Sequence, residues 1–156
     1  MRAEDLLTPG RVACDLPLSS RKRVLETLSR LLVEDSPDLP ETLVYDRLLA
    51  RERLGSTAMG HGVAIPHGRI PGLTEARMAC LRTREGVDFE ALDAEPVDLF
   101  CALAVPEEAA DAHVRLLARL AEAFSDPELR RRLREAADAA AFREILLERL
   151  AHGDDG

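Results

Sequence analysis

One stretch constrains the fold of this chain more than any other. Pro96 to Pro106, PVDLFCALAVP, is apolar at nearly every position. A strand with one wet face alternates apolar and polar residues; a continuous apolar run is expected where both faces are covered. Pro106 cannot continue a ladder and ends it. The chain therefore has to supply helices for both sides of a sheet.

The flanking segments can do so. Val24, Leu25, Leu28, Leu31 and Leu32 recur at helical spacing behind Ser20, a good N-cap. SPDLP, residues 36–40, makes a turn, and a second helix follows over Glu41 to Arg53 with Leu43, Val44, Leu48 and Leu54 as its apolar set. After the strand, AADAHVRLLARLAEAF carries Val114, Leu117, Ala121 and Phe124 on one stripe. Asp126 then caps a helix with Pro127 at its first position, and ADAAAFREILLERL makes a last one. Ala76 to Thr83 reads as a second strand, Arg84 to Gly86 as a turn and Val87 to Phe89 as an extension; residues 1–18 read as an irregular lead-in. Helices on either side of a strand cluster give an α/β fold: a single domain over 5–150, with a mixed β-sheet flanked by helices on both faces and a disordered tail at 151–156.

Composition excludes several classes. The formal net charge is −8 and aromatics are 3%, without tryptophan. Neither a broad cationic face nor stacking platforms for nucleic acid are expected. The RRRLR run, Arg130 to Arg134, lies between Glu128 and Glu135 and reads as a solvated helix face. Cys14, Cys80 and Cys101 form no CxxC motif, and two of them sit in apolar runs, which suits buried thiols in a reducing cytoplasm. The N-terminal MRAEDLLTPG has no apolar core of a signal peptide. No run approaches the ~18 apolar residues of a membrane span.

Between the early helices and the strands the texture changes. LGSTAMGHGVAIPHGRIPG holds five glycines and two prolines in nineteen residues. It reads as a loop with a short strand, Val63 to Ile65, leading to His67. Pro66 restricts the residue before it, and Gly68 permits close approach of a ligand to the backbone. Arg69 follows, and Arg51 and Arg53 enter from the preceding helix. Neutral imidazole is a nucleophile that can carry a phosphoryl group, and guanidinium groups match phosphate oxygens. His113 lies at the edge of a buried helical stripe. A rival reading gathers His61, His67 and His113 around zinc, but no tight metal-ligand spacing supports it.

RERLGSTAMGHGVAIPHGR, Arg51 to Arg69, resembles the active-site signature of the enzyme IIA proteins of the bacterial phosphotransferase system, fructose/mannitol type. The lead-in LLTPGRV, the VDFEALDAEPVDLFCALAVP segment and the HVRLLARLAEAFSDPELRRRL helices extend the resemblance over residues 5–149. It implies a mixed sheet between helices. It implies that His67 accepts a phosphoryl group through Nε2, with His113 as a second active-site histidine and Arg51 close to the phosphohistidine. Arg51, Gly68 and Arg69 are the expected phosphate-binding residues, and no metal or cofactor is implied. The implied donor is a histidine phosphocarrier protein. The chain carries no second domain or membrane part, so it most resembles the nitrogen-regulatory branch, whose members act on regulatory protein targets. A free-standing sugar-transport enzyme IIA feeding an enzyme IIB is the alternative, and a binding module never phosphorylated is another. Met59, Val63, Ile70 and Leu73 are the expected apolar anchors for the donor.

Overall fold

A computed structural model describes residues 2–108 and 110–153 of the protein. The elements run α1 (Ala3–Leu6), a 3-10 turn (Pro9–Arg11), β1 (Val12–Leu16), α2 (Arg21–Leu32), α3 (Glu41–Leu54), β2 (Ala58–Gly60), β3 (Val63–Ala64), β4 (His67–Ile70), β5 (Arg77–Val87), β6 (Val97–Pro106), α4 (Ala110–Phe124), α5 (Pro127–Glu135) and α6 (Ala139–Gly153). The apolar run is β6, and it lies inside the sheet. β5 pairs with it antiparallel on one side, and β1 pairs parallel with β5. On its other side β3 and then β4 pair parallel with it. The sheet is mixed, as expected.

Alternation along β6 explains why the run is apolar throughout. Leu99, Cys101, Leu103 and Val105 face a core shared with Leu120, Phe124, Leu133 and Phe142 of α4 to α6. Phe100, Ala102 and Ala104 face a second core with Val24, Leu28 and Leu32 of α2 and Val44 and Leu48 of α3. Both faces of the strand are therefore out of water. Alanines on the α2/α3 side leave room for Phe89 and Phe100, whose rings meet edge to face at 5.1 Å.

The helix caps are as read: the Ser20 side chain accepts from the Arg23 N–H, and the Asp126 side chain accepts from the Glu128 N–H. Four details differ. The lead-in contains β1, which a short CDL-containing segment with a positive-φ Asp15 does not advertise. Arg84 to Gly86 is no turn; β5 runs through it, and all three residues are exposed. Leu54 and Val114 project into solvent, at 85% and 63% exposure; α4 buries His113, Leu120, Ala123 and Phe124, with Leu117 and Ala121 partly buried on the same core. And α6 continues through residues 151–153 of the tail expected at 151–156, whose last three residues lie outside the described residues. Cys80 and Cys101 are facing, buried free thiols with sulfurs 3.4 Å apart.

Most of the RRRLR run is occupied within the molecule. Arg130 donates to the Phe124 carbonyl, Arg131 pairs with Glu128 and Glu135, and Arg134 with Asp98 and the His61 carbonyl. No helix among the described residues is long and apolar enough to cross a membrane.

Candidate functional site

The glycine-rich segment is more ordered than a loop. β3 and β4 lie along β6 in one unbroken register, from Val63 opposite Leu99 to Ile70 opposite Pro106. They are one strand line interrupted at Ile65 and Pro66. Pro66 has no N–H to give to the ladder, yet its carbonyl still accepts from Leu103 N–H at 2.9 Å. The interruption sets where His67 emerges. Val63 and Ile65 face the α4 side, and strand alternation sends His67 and Arg69 the same way.

Gly68 faces the opposite side, toward α3. A Cβ there would stand 3.3 Å from the backbone and Cβ of Arg47. The absent side chain therefore makes room for a helix, where a ligand was expected. This contact holds α3, with Arg47 and Arg51 one turn apart, against the strand that carries His67.

The result is an open recess of about 390 Å³ lined by Arg47, Arg51, Leu54, His67, Gly68, Arg69 and His113. It brings together all the site residues expected from the sequence. The rings of His67 and His113 meet edge to face, with centroids 5.4 Å apart. His67 Nδ1 lies 2.8 Å from the Ile65 carbonyl oxygen. A carbonyl only accepts, so Nδ1 carries the proton and donates, and Nε2 of the neutral ring keeps its lone pair. Burial lowers the His67 pKa from its ordinary value, the Ile65 bond opposes this, and the Arg51 charge lowers it again. His113 is 8% exposed, and its pKa is lowered by burial and by the nearby His67 and Arg69. Its Nδ1 finds no hydrogen-bond partner among the described residues. Arg51 is oriented by a 2.8 Å bond from its guanidinium to the Gly55 carbonyl.

His61 is elsewhere. It lies in a separate depression with Asp93, Asp98 and Arg134, its N–H donating to Asp93 at 3.0 Å. The three-imidazole arrangement is therefore not formed, and no group of three metal-ligating side chains is gathered among the described residues. Arg53 is exposed and outside the recess. Arg47 and Leu54 are site-lining residues the sequence reading missed. The signal was the spacing of Arg47 and Arg51, which a helix places on one face.

Residues 5–149 match the family described as "Phosphoenolpyruvate-dependent sugar phosphotransferase system, EIIA 2". The chain belongs to this enzyme IIA family. It is similar to a nitrogen regulatory protein of Pseudomonas aeruginosa, at 41% identity over 95% of this chain and 96% of that one. The crystal structure of nitrogen regulatory protein IIA-Ntr from Neisseria meningitidis superposes with a TM-score of 0.86 at 42% identity, covering 91% of this chain and 97% of that one. Enzyme IIA for mannitol from Escherichia coli shares the fold at 19% identity, with a TM-score of 0.72 over 88% of this chain and 96% of that one. Within the family, the chain is similar to nitrogen regulatory proteins, at 41% and 38% identity to those of Pseudomonas aeruginosa and Bradyrhizobium diazoefficiens.

Proposed function

We propose that this enzyme IIA is a phosphoryl carrier that accepts on His67 Nε2 and reports its phosphorylation state to regulatory protein targets. The observation that carries the reading is the bond from Nδ1–H to the Ile65 carbonyl, which leaves Nε2 as a lone pair in a recess bordered by arginines. The donor is a small phosphocarrier protein bearing its own phosphohistidine. The Nε2 lone pair attacks phosphorus and a new N–P bond forms. The donor's N–P bond breaks, and its electron pair returns to the donor imidazole. The His67 Nδ1 proton stays in place, and the positive ring that results is favoured by the carbonyl it faces. Phosphoryl transfer depends on positioning and charge neutralisation, which Arg51, Arg69, Arg47 and His113 would supply to the three phosphoryl oxygens. The nitrogen-regulatory names of the similar proteins support the regulatory destination over sugar transport.

Intact mass after incubation with phosphocarrier, its upstream kinase and phosphoenolpyruvate tests this. One acid-labile, base-stable phosphoryl group is expected, lost in His67→Ala. In folded His113→Ala the transfer rate should fall about tenfold or more, the effect of removing one charge-stabilising donor. Undiminished labelling of His67→Ala would overturn the assignment. Rapid passage of the label to an enzyme IIB would move the protein to the sugar branch.

A further inference from the structure

Glu52 follows Arg51 on α3 but turns away from the recess and is 3% exposed. A carboxylate out of water is costly unless its oxygens are bonded, and these are. Oε2 accepts from the Thr57 N–H at 2.8 Å and Oε1 from the Thr57 hydroxyl at 2.5 Å. The Thr57 carbonyl in turn accepts from the Ile65 N–H at 3.1 Å. The Ile65 carbonyl is the group that holds His67 Nδ1–H. A continuous line of hydrogen bonds thus joins a buried acid on the helix to the reacting ring.

The segment it crosses is paired on both sides, β2 with β3 and β3 and β4 with β6, but that ladder is interrupted at Ile65 and Pro66. Gly60 and Gly62 sit at φ +93° and +77°, in the left-handed region where glycine is at home. Pro66 withholds one ladder bond. At that interruption the Ile65 N–H bonds to the Thr57 carbonyl, so Thr57 is the tie nearest to the Ile65 carbonyl. We infer that Glu52 is a positioning residue: by gripping Thr57 it fixes the Ile65 carbonyl, and that carbonyl selects the His67 tautomer whose Nε2 is free to react. The inference rests on the proposed role of His67 for its consequence, though not for its geometry. Glu52 touches neither phosphorus nor donor, and its burial raises its pKa against the opposing Thr57 bonds.

The test separates the two claims. Long-range ¹H–¹⁵N spectra of the free protein near pH 7.5 report which His67 nitrogen carries the proton, without any phosphoryl donor. Transfer kinetics are then measured with the phosphocarrier. Wild type should show the Nδ1–H form. Glu52→Ala should shift His67 to a mixture of tautomers and slow saturated transfer about tenfold or more, leaving half-saturation unchanged, as expected for a misplaced reactive group. Glu52→Gln should restore both, since its carbonyl oxygen still accepts from the Thr57 N–H and its amide can donate to the Thr57 hydroxyl. A folded Glu52→Ala with the wild-type tautomer overturns the inference. So does a Glu52→Gln as impaired as Glu52→Ala, because charge would then be the active property. If Glu52→Ala does not fold, Thr57→Val is read instead, and a wild-type His67 spectrum there overturns it. A tautomer shift in Glu52→Ala together with no label on His67 of the wild type keeps the positioning role and removes the phosphoryl-carrier reading.

Discussion

At the scale of single residues the site is a pair of imidazoles kept neutral. His67 and His113 both have pKa values below the ordinary histidine value, chiefly through burial. The sign of the stability effect follows. Between the folded pKa and about 6.5, the unfolded chain binds more protons than the native one. Stability from this source is fully present above that range and is lost as pH falls through it. Glu52 acts oppositely, because its raised pKa makes the native state the better proton binder just above the ordinary carboxylate range. Urea midpoints measured from pH 7.5 down to 5.5 should therefore fall in wild type. They should fall less in a double variant, His67→Gln with His113→Gln, which removes the imidazoles and leaves Glu52. Equal slopes would show that neither imidazole is perturbed. The same neutrality keeps Nε2 of His67 nucleophilic at neutral pH.

At the scale of elements, function depends on how closely α3 lies on β4. Gly68→Ala tests that contact. The added Cβ would meet Arg47 backbone at 3.3 Å, so the helix must yield by a few tenths of an ångström. Overpacking of this kind costs typically about 1–3 kcal/mol. The melting temperature should drop, and transfer should slow because Arg47 and Arg51 move with the helix. Unchanged rates in a destabilised variant would show that the arginines reach the phosphoryl group from elsewhere. The same contact marks what the sequence could and could not disclose. The apolar β6 run announced a sheet covered on both faces, and Ser20, Asp126 and Pro127 announced helix starts, because those signals are local. His67, His113, Arg51 and Arg69 were legible from residue type and motif, and one recess collects them. The purpose of Gly68 was not legible, since the group it makes room for is a helix backbone distant in sequence. Nor was β1, or the union of β3 and β4 into one line, because only pairing with β5 and β6 makes those segments strands. Glu52 carries no local signal of burial; its carboxylate is held by Thr57, across the helix end.

At the scale of the molecule, a protein donor must settle around the recess, and the expected apolar anchors are not there. Val63 and Ile70 are fully buried, Met59 packs on the α4–α6 core and Leu73 on the α2/α3 core. Strand alternation turns Val63 and Ile70 inward, and Met59 and Leu73 are partly buried against the two cores. Of the exposed large apolar side chains, Leu54 stands on the recess wall and Val114 follows His113 on α4, while Leu92 is not among the recess-lining residues. Arg47, Arg51 and Arg69 line the recess with Leu54, a local cationic patch on a chain of net charge −8. Arg47 is partly engaged by Glu107 at 3.4 Å, an exposed pair that a phosphate-bearing donor can displace at little cost. Encounters of this kind bury less than about 1,200 Å² and are steered by charge, so transfer should slow as salt rises. Leu54→Glu places an acid among the arginines and Val114→Glu one next to His113 on α4, in each case without entering either core. Both variants should keep the wild-type melting temperature and normal labelling by a small phosphodonor, while transfer from the phosphocarrier falls about tenfold or more, the loss expected when a central apolar anchor is removed. Ile70→Glu, by contrast, should unfold the protein. Wild-type transfer from the carrier to both surface variants would place the docking face away from the recess. It would also sever the link between the exposed leucine and valine and the histidine pair they flank.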